Sequence, residues 1–205
     1  MARSLQVRRI DEMRLIGGRP CLDFVNTIHD RFAVRLEDYL ADTRTYLEWA
    51  VRAGTLTRGE FGRIRTNRVS QRTIVDARQF REHLHALLSA RVDNATTPRR
   101  SVRALEMWVR KAWRDLRFDL TASGLLVWGA RALDARLPLK RIALSALELL
   151  CEGAPARLKR CASPEECGWL FYDDTKNNGR RWCAMDTCGV VAKMRRYRRR
   201  HRRQK

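Results

Sequence analysis

Four cysteines near the C-terminal end carry the clearest chemistry in this sequence. Five residues separate Cys161 from Cys167, fifteen separate the two pairs, and four separate Cys183 from Cys188. Two close thiolate pairs joined by a short span form the pattern that a tetrahedral metal requires. Each pair makes a knuckle, and the spacer folds as a hairpin that brings the knuckles together. Sulfur ligands favour zinc over hard cations, and four of them leave no open coordination position. The expected cofactor is therefore one structural Zn2+ per chain. Unligated thiols, a disulfide and an iron–sulfur cluster are the competing readings, and the spacings are wider than the usual two-residue knuckle. Metal binding would also supply folding free energy, on the order of 10–16 kcal/mol in finger peptides, to a segment too short to build its own core. Cys21 and Cys151 stand outside the set and read as small apolar residues.

The second chemical feature is charge. The 205 residues carry a formal net charge of +20, and half of it falls in residues 156–205. From Lys193 to Lys205 there are nine basic residues in thirteen and no acid. Such a block is an electrostatic footprint for phosphate or another anionic surface. Arg outnumbers Lys 37 to 6, a bias that a GC-rich genome would produce. That bias explains the choice of Arg but not the absence of acids. Arg180, Arg181, Lys193, Arg195, Arg196, Arg199, Arg202 and Arg203 are the candidate nucleic-acid contacts. Arg180 and Arg181 flank the third cysteine and could instead orient the thiolates. Trp169 and Trp182 read as core of the small domain before they read as base-stacking platforms.

Other candidates are weaker. Asp23, Asn26 and Thr27 are polar residues on an apolar segment. They suit local capping, or the lining of a small-molecule pocket. His29, His83, His85 and His201 show no paired metal spacing, and His83 and His85 cannot share one helix face. No nucleophile elbow, phosphate-binding loop or dinucleotide fingerprint occurs, so an enzyme is not expected.

The elements that must position these groups are mostly helical. Leu22, Val25 and Ile28 lie on one face of a short helix after Gly17-Gly18. Asp42 is placed to cap a helix through Tyr46, Leu47 and Ala50, ended near Gly54. Thr57 and Glu60 have capping-box spacing. Phe80, Leu84, Leu87 and Leu88 mark an amphipathic helix over about residues 74–92. Leu105, Val109 and Ala112 mark the next one. Leu116, Phe118 and Leu120 then alternate, Ser123-Gly124 turns, and residues 125–128 return, which reads as a β-hairpin. Pro138 opens a last helix through Leu150. The composition shifts at Gly153-Ala-Pro155. The expected domains are an α-rich unit over 1–155 and a metal domain over 156–205. The fold class is mainly α with a small β-hairpin, α+β overall. Past Cys188-Gly189 the chain reads as helix. Val190, Val191, Met194 and Tyr197 share a stripe expected to pack on the zinc core, with the arginines turned away. Knuckle, hairpin, knuckle and basic exit helix give a treble-clef-like four-cysteine finger.

These residues carry a family resemblance. Cys167-Gly-Trp-Leu-Phe171, Asp173 with Thr175, Arg180-Arg-Trp-Cys-Ala-Met185, Cys188-Gly189 and Ala192-Lys-Met-Arg195 resemble the CGNR-type zinc fingers. Gly17-Gly-Arg-Pro-Cys-Leu-Asp-Phe-Val-Asn-Thr27 resembles the start of the ABATE domain that accompanies them. The resemblance covers nearly the whole chain, most specifically in the finger. It implies a bacterial, stress-linked transcription regulator with a ligand- or stress-sensing N-terminal domain and a DNA-binding finger. Val190-Val191 stand where the family has Asn-Arg. That departure leaves the four ligands intact and touches only DNA readout.

Together these readings predict a zinc-dependent DNA-binding protein that controls transcription by neutralising phosphates with its Arg-rich helix. Two alternatives stand beside it: a module for structured RNA or the ribosome, and a small-molecule sensor whose finger is a protein contact. DNA is favoured over RNA as partner. A homodimer and a small-molecule effector of the N-terminal domain stay open. The N-terminal residues show no secretory signal pattern and no apolar run has membrane-spanning length, so the expected place is the cytoplasm, at the nucleoid when DNA is bound.

Overall fold

The computed structural model describes residues 5–29, 31, 36–65, 70–153, 155–163 and 167–202. Helices dominate. α1 (Pro20–Val25) begins with a proline at its first turn, where the missing N–H costs nothing. It ends one turn earlier than the apolar spacing suggests. Asn26 caps it, and Ile28 passes into β2 (Ile28–His29). This strand joins β1 (Leu5–Val7) and β3 (Leu36–Asp38) in a small sheet of order β1-β3-β2, with β1 parallel and β2 antiparallel to β3. Local sequence pattern carries no sign of this sheet. Strands of two or three residues are too short to show a period, and their pairing is long-range.

α2 (Thr43–Arg52) is capped as expected, with Asp42 accepting from the Thr45 N–H at 2.7 Å. α3 (Arg58–Arg65) opens with a reciprocal capping box. The Thr57 N–H donates to Glu60, and the Glu60 N–H donates to the Thr57 hydroxyl. α4 (Arg72–Val92) and α5 (Arg99–Arg114) follow the predicted periods and pack together through Phe80 and Trp108, whose rings lie 5.8 Å apart. β4 (Leu116–Leu120) and β5 (Leu126–Ala130) form the predicted hairpin. α6 (Leu137–Cys151) is buried along Leu139, Ile142, Ala143 and Ala146. Leu22, Phe24, Tyr46, Trp49, Phe80, Leu84 and Leu88 form the centre of the core around which these helices assemble.

The last part comprises β6 (Leu158–Arg160), β7 (Leu170–Tyr172), a π-helical turn at Met185–Gly189 and α7 (Val190–Arg202). β6 pairs antiparallel with β7. The finger's ladder thus uses residues that precede the first cysteine, whereas the hairpin was expected within the spacer between the cysteine pairs; residues 180–182 form no strand. The α+β, mostly helical class and the treble-clef-like finger stand as read. No helix among the described residues is long and apolar enough to cross a membrane.

Candidate metal centre and basic groove

The β6–β7 ladder and the π turn bring the four cysteines to one point. The sulfurs of Cys161, Cys167, Cys183 and Cys188 all lie within 4.8 Å of one another. Cys167 and Cys183 are 3.7 Å apart, and Cys183 and Cys188 are 3.6 Å apart. A tetrahedral zinc with Zn–S of about 2.3 Å requires sulfur–sulfur edges of about 3.8 Å. The donor set and spacing therefore fit one zinc ion with all four positions taken by protein. Three of the ligands are buried and Cys188 is half-buried. The Cys183 N–H donates to the Cys161 sulfur at 3.3 Å, which stabilises thiolate charge.

Two glycines make this geometry accessible. Gly168, directly after the second ligand, has φ +61°, a left-handed conformation that costs other residues energy. At Gly189 a Cβ would come within 2.5 Å of the Met185 sulfur and 3.5 Å of the Trp182 ring. The Cys188-Gly189 pair thus reflects a ligand followed by a close approach.

Asp173 organises the span between the cysteine pairs. Its carboxylate is buried, accepting from Lys159 Nζ at 2.6 Å, the Arg180 N–H at 2.8 Å and the Thr175 N–H at 3.0 Å. These donors hold its carboxyl well below the usual carboxylate range against the opposing effect of burial. The turn chemistry of residues 173–179 points to a loop; what it hides is that one carboxylate is shared by β6, the loop and the approach to Cys183.

The candidate contacts separate into two groups. Arg180 is a strut. Its guanidinium sits 4.5 Å over the Phe171 ring and donates to the carbonyls of Trp182, Cys183 and Ile16. These donors tie the approach to Cys183 to the finger and to Ile16 of the helical part. Arg181 is exposed over the Trp182 ring. With Trp182 and with Ala192, Arg195, Arg196, Arg198 and Arg199 of α7 it lines a groove of about 530 Å³ between the helix and the finger. Lys193 is exposed on another side of α7, Arg202 ends the helix, and Arg203 lies outside the described residues.

The orientation of α7 reverses the expected one. Ala192, Arg195 and Arg199 turn toward the finger body, while Val190, Val191, Met194 and Tyr197 face solvent. The wheel assigned the two faces correctly, but the apolar one is not the one that packs. The cause is local. The π turn carrying Cys188 fixes how α7 leaves the metal, and small Ala192 is the side chain presented inward.

Asp23, Asn26 and Thr27 are buried, and the fold uses their polar atoms. Asp23 Oδ1 accepts from the Gly17 N–H at 2.8 Å. Asn26 donates to the Leu170 carbonyl at 2.8 Å and accepts from the Leu170 N–H at 2.9 Å. Its amide mimics one more strand residue beside β7. Thr27 donates to the Phe24 carbonyl and accepts from Arg81. The Trp169 indole donates to the Ile28 carbonyl at 3.1 Å. Arg14 pairs with Asp186 in the π turn at 2.8 Å, and Arg160 makes two bonds to Asp93 at 3.0 and 2.9 Å. The contacts of Asn26, Trp169, Arg14 and Arg160 join the finger to the helical part over more than sixty residues of sequence, which leaves no local pattern to read.

Residues 157–201 match the family described as "CGNR zinc finger", and residues 18–153 match ABATE, described as "Putative stress-induced transcription regulator". No curated protein matches the chain.

Proposed function

The chain belongs to the ABATE family and ends in a CGNR zinc finger that holds one structural zinc ion, and we propose that it regulates transcription by binding DNA through the groove between α7 and the finger. The observation that carries this reading is the convergence of Arg181, Arg195, Arg196, Arg198 and Arg199 beside Trp182 in one cleft. Guanidinium groups neutralise phosphates and release counterions, and their planar forks can also read guanine edges. Zinc supplies no reactivity in this scheme. It fixes the angle at which α7 leaves the finger, so the arginines are presented as a set. Duplex DNA is preferred over structured RNA because the helix offers both phosphate contacts and a rigid edge for a groove.

The test is binding of random-sequence duplex DNA followed as a function of salt. Five phosphate contacts predict a slope of log K against log salt of about −4.5. Replacing Arg181 or Arg199 by Ala should each flatten that slope by about 0.9 without altering melting. Selection from a random pool should then yield an enriched sequence. An unchanged slope in both variants would overturn the groove as the contact, and equal competition by structured RNA would overturn DNA as the preferred partner.

A further inference from the structure

The outward face of α7 has no role in DNA binding as proposed. Val190 is 47% exposed, Val191 37%, Met194 49% and Tyr197 58%. Val190, Met194, Tyr197 and His201 follow the 4, 3, 4 spacing of a coiled-coil seam, the d and a positions of successive heptads. The Tyr197 and His201 rings already stack at 4.0 Å, which pre-orders the seam. Of the groove arginines on α7, Arg195, Arg196 and Arg199 occupy the outer positions of the same heptads, and Arg198 lies at the edge between groove and seam. The positions flanking the seam are Val191, Lys193, Arg198 and Arg200; all are exposed, and three are cationic.

That pattern selects an occupant. A seam of one residue per turn suits a single partner helix; a lipid surface requires a wider apolar face. A second copy is disfavoured. In either orientation the flanking positions of two such helices would set cation against cation, and α7 contains no acidic residue to relieve it. We infer that the Val190–Met194–Tyr197 face of α7 docks an acidic amphipathic helix of another protein, with Glu or Asp flanking an apolar seam. Arg195, Arg196 and Arg199 lie away from the seam, so the helix can serve a nucleic acid on one side and a protein on the other. The inference does not depend on DNA binding, and its test contains no nucleic acid.

The probe is a labelled synthetic helix of three heptads with Leu and Val at the seam and Glu at the flanks. It is titrated with the full zinc-loaded chain at physiological salt and read by fluorescence anisotropy. Because a chain of charge +20 attracts any acidic peptide, the decisive control keeps the Glu flanks and replaces the seam by Ser. The expected result is binding of the first probe about tenfold tighter than the control. Tyr197→Ser and Met194→Ser, both at exposed positions, should each remove that margin without changing melting. Equal binding of the two probes would overturn the seam as a recognition element. So would concentration-dependent self-association of the chain alone that Tyr197→Ser abolishes, or binding to anionic vesicles that this variant abolishes while neither peptide binds.

Discussion

Among individual residues, Asp23, which suits either local capping or a pocket lining by sequence, spends its carboxylate on the Gly17 N–H. Burial pushes its carboxyl up to about 6, against the stabilising N–H groups of Gly17 and Ile16. A carboxyl whose pKa is raised in the folded state holds its proton more tightly there than in the unfolded chain. Its ionisation therefore removes stability as pH rises from the unfolded value of about 4 through the folded value of about 6. The contribution is fully present below about pH 4 and amounts to about 2–3 kcal/mol. Asn in its place keeps the acceptor for the Gly17 N–H and never ionises. Asp23→Asn should therefore lose this pH dependence between 4 and 6 and be at least as stable as the parent at pH 7. Denaturant melts across that range check it, and a parent slope retained in the variant would refute the assignment.

Among the elements, α7 is decided by its orientation. Val190 and Val191 replace the Asn-Arg of the family pattern, and their place on an apolar stripe suggested that they pack the helix against the finger. Both are exposed, so substituting them removes little buried area. Val190→Asn with Val191→Arg should change stability by no more than about 0.5 kcal/mol, the ordinary range of a surface substitution. For a chain of this size that is a shift of about 1–2 °C in melting. A drop of several degrees would restore the packing role. Tighter DNA binding by the same double variant, at unchanged melting, would mark a phosphate contact that this chain lacks.

Across the whole molecule, the finger and the helical part share one core. Leu170, Phe171 and Trp169 belong to the same buried cluster as Leu22, Phe24 and Trp49. Asn26 is the hinge of that junction, because its amide satisfies both backbone groups of Leu170. Asn26→Ala would leave a buried N–H and a buried carbonyl each short of a partner, costing about 2–3 kcal/mol. Zinc release on heating should move down with it. Because the junction is shared, replacing Cys183 by Ser, or removing zinc with a chelator, should lower the melting of the helical part as well as that of the finger. Far-ultraviolet circular dichroism and a colorimetric zinc indicator, followed on one sample, should give coincident transitions. An unaffected helical transition after zinc removal would show the two parts to be independent.

Much of this protein was legible from local pattern. Cysteine spacing pointed to one tetrahedral metal in a structural role, because four thiolate ligands leave no open coordination position. Capping residues such as Asp42 and the Thr57–Glu60 box determined helix starts, because their hydrogen bonds reach only three residues along the chain. The alternation around Ser123-Gly124 determined the hairpin for the same reason. The three-stranded sheet, the pairing of β6 with β7, the strut role of Arg180 and the seating of Asn26 on Leu170 were decided only by tertiary structure. Each joins groups distant in sequence or redirects a side chain toward carbonyls that no spacing reveals. The orientation of α7 belongs with them. A helical wheel separates two faces of a helix, but which face turns inward depends on how the preceding turn leaves the metal, and that is a property of the folded knuckle.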